Sequence, residues 1–166
     1  EPGDGVLYEE QLRQLANYIV DHGLYNTHNC SFFSKTIGRP IDINENGNWC
    51  GAGKMLAVDG NGTFYPCIRF APFSMKHKPA RVIGNCFDGL DLNKMRPFLV
   101  LNRTMQSPPQ CLACEVASGC SWCQGNNYDL AQTDTIFQRA IYSCEMHKAR
   151  VRANAYFWTK LSHKIN

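Results

Sequence analysis

The cysteines constrain this chain more than any other feature. There are nine in 166 residues, at positions 30, 50, 67, 86, 111, 114, 120, 123 and 144. The densest stretch reads Cys111-x2-Cys114-x5-Cys120-x2-Cys123, and twenty further residues separate Cys123 from Cys144. Two thiolates separated by two residues on a turning backbone can bind the same metal centre. Two such pairs in one short stretch therefore predict a metal site.

The spacing of the two pairs favours an iron–sulfur cluster over zinc. Structural zinc sites usually draw their cysteine pairs from knuckles about 15–20 residues apart. Here only five residues separate Cys114 from Cys120. Such closely spaced soft ligands suit an iron–sulfur cluster, which is larger than a single zinc ion. A non-catalytic zinc-binding interaction module is the alternative.

A disulfide-bonded secreted domain is a third interpretation, which two features of the sequence argue against. The cysteine count is odd, and the chain begins Glu1-Pro2-Gly3 with neither Met nor a charged-then-apolar leader. Disulfides persist mainly in oxidising compartments. We expect a piece of a longer cytoplasmic protein whose cysteines bind metal.

The overall composition argues against two classes of partner. The formal net charge is +3, and the basic residues are scattered, which does not suit a nucleic-acid-binding surface. No apolar run reaches the roughly 18 residues of a membrane span. We therefore expect neither nucleic acid nor membrane as a partner.

The pattern of apolar residues predicts a small α+β domain. Two short apolar runs, 54–58 and 63–67, flank Asp59-Gly60-Asn61-Gly62, which is typical of a β-hairpin. Helical spacing predicts a helix over 7–22, ended by Gly23, and further helices over 90–101, 133–143 and 145–162. Residues 24–49 are polar and turn-rich, which indicates a linker with one short strand, and 71–81 reads as a solvated basic loop.

These cysteines also resemble those of a known family. Cys50-x11-Gly62-x4-Cys67, the dense block from Cys111 and the trailing Cys144 look like the seven-cysteine pattern of the SPASM domain. That domain is the C-terminal extension of radical SAM enzymes that modify peptides and proteins. Ile83-Gly84-Asn85 resembles its short Gly-Asn element.

The resemblance implies two auxiliary 4Fe–4S clusters. By position, Cys50, Cys67 and Cys123 would hold the first cluster, and the second would be held by Cys111, Cys114, Cys120 and Cys144. The family commonly has three residues between the last two cysteines of the block, whereas Ser121 and Trp122 are the only two here. The first cluster would keep an open iron, which a substrate thiolate could bind, or take Cys86 or Cys30 as its fourth ligand.

The resemblance also implies a function that this chain does not complete alone. Radical chemistry on S-adenosylmethionine requires Cys-x3-Cys-x2-Cys, which the sequence lacks. The implied partners are an upstream radical SAM barrel in the same polypeptide and a peptide or protein substrate. Residues 1–25 would then end that barrel, 26–49 would be the linker and 50–166 the cluster domain, acting in thioether formation or side-chain oxidation.

Overall fold

A computed structural model describes residues 3–42, 44, 47 and 50–165, so the end of the predicted linker lies outside the described residues. The chain forms two compact units. The helical unit contains residues 3–41, 113–121 and 141–165, and the sheet unit contains the described part of 42–112 together with 122–140. No described helix has both the length and the apolar character needed to cross a membrane.

Two long helices form the frame of the helical unit. Helix α1 spans Asp4–Asp21 and helix α6 spans Cys144–Ile165. Both present an apolar stripe at helical spacing, and burying the two stripes against each other drives the pairing. Phe33, from the segment after α1, stacks on Phe157 with ring centroids 4.4 Å apart. The core consists of Ala16, Ile19, Val20, Phe33, Phe157 and Leu161.

A small antiparallel sheet organises the other unit. Its strands follow chain order: β1 Ala57–Val58, β2 Thr63–Tyr65, β3 Gly84–Asn85 and β4 Gly89–Leu90. The β1–β2 turn is held by Asp59, whose carboxylate accepts the N–H groups of Asn61 and Thr63 and the hydroxyl of Tyr65. Such a side-chain acceptor is why Asp is favoured at turns.

Short helices complete the sheet unit. They are α2 Leu92–Val100, α3 Arg103–Gln106, α4 Pro109–Leu112 and α5 Gln124–Leu130. Asp91 caps α2 by accepting the N–H groups of Asn93 and Lys94. The buried core lies between these helices and the sheet, and consists of Ala52, Tyr65, Cys67, Phe70, Ala71, Ile83, Phe98, Tyr128 and Ile136.

The α+β class and most of the predicted elements are confirmed. The hairpin forms at the predicted turn, α1 ends before Gly23, and α2 and α6 cover the helices predicted over 90–101 and 145–162. Strands β3 and β4 were not predicted, because each has only two residues and includes a glycine.

The helix predicted over 133–143 is wrong, since the described chain has no helix there. The backbone N–H groups of residues 139 and 140 donate to other segments of the sheet unit instead. The Ala140 N–H donates to the Asn127 side chain, and the Arg139 N–H donates to the Gln106 carbonyl. These long-range bonds satisfy donors that a helix would otherwise use, so tertiary contacts override the local pattern.

Part of the predicted linker is folded into the helical unit. The Gly38 N–H donates to the Ser118 carbonyl at 3.1 Å, and the Ser118 N–H donates to the Arg39 carbonyl at 2.8 Å. The Ser118 hydroxyl also donates to the Thr36 carbonyl. Residues 36–39 therefore lie against the loop that carries Cys114 and Cys120.

Candidate metal centre

Cys67 lies two residues after the end of β2, directly before a tight turn. Its backbone is extended, with φ −167° and ψ 174°, and a 3₁₀ turn over Ile68–Phe70 follows directly. The backbone N–H groups of Arg69 and Phe70 lower the pKa of its thiol, and the Phe70 N–H donates to the Cys67 carbonyl at 3.0 Å. Backbone donors to a sulfur stabilise a thiolate, and such bonds tune the potential of a bound cluster.

The environment of Cys67 also includes two other cysteines. Burial raises the pKa of its thiol, the Arg69 N–H lowers it, and the charges of Cys50 and Cys123 raise it further. The pKa of the buried Cys67 thiol is therefore sensitive to the two cysteines predicted to share its cluster. The assignment of the three residues as ligands of the first cluster stays a prediction.

A backbone hydrogen bond joins the segments that carry Cys50 and Cys67. The Gly53 N–H donates to the Pro66 carbonyl at 3.0 Å, which ties the loop after Cys50 to the residue before Cys67. Gly53 has φ +81°, a conformation that favours glycine. The loop from Cys50 is thus fixed against the end of β2.

Cys123 is brought in by the start of α5. A Cβ placed on Gly125 would come within 2.6 Å of the Arg69 Cβ, so this glycine lets the helix lie directly on the turn after Cys67. Cys123 immediately precedes α5 with an extended backbone. A larger residue at 125 would push Cys123 away from Cys67.

The three thiols do not converge on a single ion. Within the described residues, no three His, Cys, Asp or Glu side chains form a group that could hold one metal ion. Thiolates around one zinc lie roughly 4 Å apart, given a Zn–S bond of about 2.3 Å.

Cys86 occupies a different part of the sheet unit. Thr63 pairs with Asn85, and the Cys86 N–H donates to the Gly62 carbonyl at 2.9 Å. Gly62 precedes β2, whereas Cys67 follows it. At about 3.3 Å per extended residue, the five steps from Gly62 to Cys67 cover roughly 16 Å. The Cys86 side chain therefore lies at the opposite end of β2 from Cys67.

A second group of cysteines lies in the helical unit. The Ala117 N–H donates to the Cys114 carbonyl at 3.3 Å, and the Cys120 N–H donates to the Ala117 carbonyl at 3.1 Å, which folds this loop into successive turns. Cys144 begins α6. The Nε2 of His147, one turn into that helix, lies 2.5 Å from the Val116 carbonyl oxygen. This bond holds the loop of Cys114 and Cys120 against the helix that starts at Cys144.

The two remaining cysteines are placed separately. Cys111 lies in the one-turn helix α4 of the sheet unit, and its N–H donates to the Pro108 carbonyl at 2.8 Å. Cys30 packs against the core of the helical unit. The predictions that Cys111 binds the second cluster and that Cys30 or Cys86 completes the first stay predictions. None of the nine cysteines, all of which are described, is joined in a disulfide.

No family model, curated protein or solved structure matches this chain.

The sequence interpretation missed two residues that organise these sites. Gln106 is 2% exposed and accepts hydrogen bonds from the Trp122 indole and the Asn127 amide, which fixes the segment around Cys123. His147 is buried against the loop of Cys114 and Cys120. His147 stands three residues after Cys144, so it shares a helix face with that cysteine. For Gln106 the sequence offers no comparable signal.

Proposed function

We propose that the sheet unit binds an iron–sulfur cluster through Cys50, Cys67 and Cys123. The observation that carries this proposal is that Cys50 and Cys123, from other segments of the chain, both raise the pKa of the buried Cys67 thiol, while the loop after Cys50 and helix α5 after Cys123 are packed against the segment of Cys67. A buried thiol with a raised pKa is a poor ligand until a cation compensates the thiolate charge. The N–H groups of Arg69 and Phe70 are already placed to stabilise that charge.

The helical unit supports a second ligand group. We propose Cys114, Cys120 and Cys144 as ligands of a second cluster, with His147 holding their two segments together. The assignment of Cys111 to the same cluster rests on sequence spacing and on the resemblance to the SPASM pattern. With both groups filled, the chain would carry two 4Fe–4S clusters.

The first cluster has three protein ligands in this proposal. Cys86 lies at the other end of β2, which argues against it as the fourth ligand. One iron would then be open to an external ligand, and a substrate thiolate is the chemical group that such an iron binds well. The protein residues hold the sulfurs in place and exclude water on the side of the buried core.

The wider function follows from the resemblance. We propose that this chain is the cytoplasmic auxiliary-cluster part of a radical SAM enzyme that modifies a ribosomally made peptide or protein. The clusters, when bound, would supply electron transfer or ligation of a substrate thiolate. Cleavage of S-adenosylmethionine would belong to a barrel in the same polypeptide, because the required cysteine triplet is absent from this sequence.

Anaerobic reconstitution with iron and sulfide tests the cluster proposal directly. We expect a brown protein with about eight irons per chain, as two 4Fe–4S clusters require. Cys67→Ser and Cys144→Ser should each lose about half of the iron, and Cys86→Ser, the matched control, should keep all of it. Iron content, sulfide content and visible absorption give the readout.

Other outcomes would contradict the proposal in distinct ways. A colourless protein with one or two zinc ions would support the zinc-binding interaction module. A metal-free chain with few reactive thiols would support the disulfide-bonded domain. If Cys86→Ser removed as much iron as Cys67→Ser, the ligand assignment of the first cluster would be wrong.

A further inference from the structure

The helical unit contains a cavity that the cluster proposal does not use. It has a volume of about 560 Å³ and lies between the segment 29–37 and helix α6. This volume falls within the roughly 300–1,000 Å³ range of small-molecule sites. Cys30, Ser31, Lys35, Thr36, Arg150 and Trp158 are among the residues that line it.

The wall of this cavity is positively charged. Lys35 and Arg150 both line it, and none of the lining residues is a carboxylate. Within the described part of the chain, no carboxylate forms an ion pair with either side chain. Two cations that line one concave surface without a counter-charge favour an anionic ligand.

The guanidinium of Arg150 is held in place by the protein. It donates to the Ser31 carbonyl at 2.6 Å and to the Phe32 carbonyl at 3.3 Å. These bonds use two of the five N–H donors of an arginine, so the group is fixed in orientation and retains donor capacity. A fixed cation loses less entropy on binding an anion than a mobile surface cation does.

Lys35 and Trp158 form the other wall. The Lys35 Nζ lies 4.9 Å from the centroid of the Trp158 ring, which positions the ammonium over the aromatic face. The indole Nε1–H is shielded from solvent and has no acceptor within the described residues. This part of the lining therefore combines an ammonium group with an apolar aromatic face.

Cys30 provides a chemical reporter inside this cavity. Cys30 lines this cavity and also a neighbouring one of about 180 Å³. Cys30 is partly exposed, so small reagents can reach it. The reactivity of Cys30 should therefore depend on the local charge and on whether the cavity is filled.

We propose that this cavity is a binding site for a small oxyanion ligand, with Lys35 and Arg150 as the residues that recognise its carboxylate or phosphate group. The site lies entirely within the helical unit and includes none of the seven cysteines assigned to the two clusters; Cys30, an alternative fourth ligand, lines it but is used here only as a reporter. Its failure and the failure of the cluster proposal are therefore distinguishable. A substitution at Lys35 should leave the iron content unchanged.

Alkylation of Cys30 by two matched reagents tests the proposal. Iodoacetate is anionic and iodoacetamide is neutral, and with both the thiolate sulfur displaces iodide from a CH₂ group. In the full chain, we expect the iodoacetate-to-iodoacetamide rate ratio at Cys30 to exceed that at exposed Cys86 about tenfold or more. Peptide mapping by mass spectrometry separates the two cysteines.

Substitutions then show which positive charge raises the iodoacetate-to-iodoacetamide ratio at Cys30. Lys35→Gln should lower the ratio at Cys30 several-fold, and Lys35→Arg should restore it. Lys148→Gln, which removes an exposed charge from α6 outside the cavity lining, is the matched control and should change the ratio little. If Lys35→Gln and Lys148→Gln lowered the ratio at Cys30 equally, the overall charge of the protein would explain the effect, and the proposed binding site would be refuted.

Protection from iodoacetamide identifies the ligand chemistry. Benzoate and inorganic phosphate are added separately at increasing concentration, and slower labelling of Cys30 shows that the cavity is filled. Protection by benzoate alone indicates a carboxylate ligand, and protection by phosphate alone indicates a phosphorylated one. No protection by either, together with a ratio at Cys30 equal to that at Cys86, would refute the proposal.

Discussion

The indole N–H of Trp122 donates a hydrogen bond to the side-chain oxygen of Gln106, which is almost completely buried. The same oxygen accepts the Asn127 amide at 3.1 Å, and the Gln106 amide donates to the Ile136 carbonyl. One side chain thus connects the segments on both sides of Cys123. Buried polar networks of this kind are costly to disrupt because each group loses its only partner.

Gln106→Leu should destabilise the sheet unit by about 2–6 kcal/mol, because it removes the acceptor of the buried Asn127 amide and of the partly buried Trp122 indole, at about 1–3 kcal/mol each. Urea unfolding followed by tryptophan fluorescence measures the loss. Gln110→Leu, at an exposed position, is the matched control and should change stability little. Equal stability of the two variants would contradict the role given to Gln106.

Asp129 should make the stability of the sheet unit depend on pH in the acid range. Burial raises the pKa of its carboxyl, but the N–H groups of His77, Lys76 and Lys78 outweigh burial and hold the pKa below its usual value of 3.8. A lowered folded-state pKa contributes stability that is present above the unfolded pKa of about 4 and is lost as the pH falls through the folded pKa.

Asp129→Asn should therefore be less stable at pH 6 by about 2 kcal/mol, in line with hydrogen bonds to a charged group. It should also lose stability less steeply than the parent protein as the pH falls from 5 to 2. The free energy of unfolding, measured across this range, gives both quantities. A parallel decline in the two proteins would rule out Asp129 as the titrating group.

Gly62→Ala should be destabilising by about 1–2 kcal/mol, since Gly62 has φ +78° and an L side chain is strained there. The added Cβ would also come within 2.4 Å of the Cys86 sulfur. Gly60→Ala is the matched control: nothing lies within 4 Å of its Cβ, so its effect should be small. Thermal unfolding of both variants tests this.

Combining Gly62→Ala with Cys86→Ala separates the two causes. If crowding against the sulfur contributes, the double variant regains part of the lost stability, while the backbone strain remains. Full recovery would show that the left-handed backbone at residue 62 carries no cost.

Metal-free protein should show a large difference in reactivity between two cysteines of the sheet unit. Cys67 is 8% exposed and burial raises the pKa of its thiol, whereas Cys86 is exposed. Iodoacetamide should therefore label Cys86 at least tenfold faster at pH 8, and the rate at Cys67 should keep rising above the ordinary thiol pKa of about 8.5. Comparable rates at pH 8 would contradict the buried placement of Cys67.

The sequence alone determined the fold class and the main elements. The apolar stripes of α1 and α6 repeat at helical spacing, and Asp59-Gly60-Asn61-Gly62 contains residues that favour a tight turn. Such features act between residues close in the chain, where backbone conformation and side-chain spacing decide the outcome. The cysteine spacing likewise predicted which residues are candidates for metal binding.

Only the tertiary structure decided which cysteines are neighbours and what holds them. Gly125 lets α5, which follows Cys123, lie on the turn at Arg69 that follows Cys67. The helix predicted over 133–143 is absent because Asn127 and Gln106 bind its backbone. These contacts join residues far apart in the sequence, so their energy depends on the whole packing arrangement. Local patterns carry no information about that arrangement, and this is why Gln106, His147 and the cationic cavity at Lys35 emerged only from the folded chain.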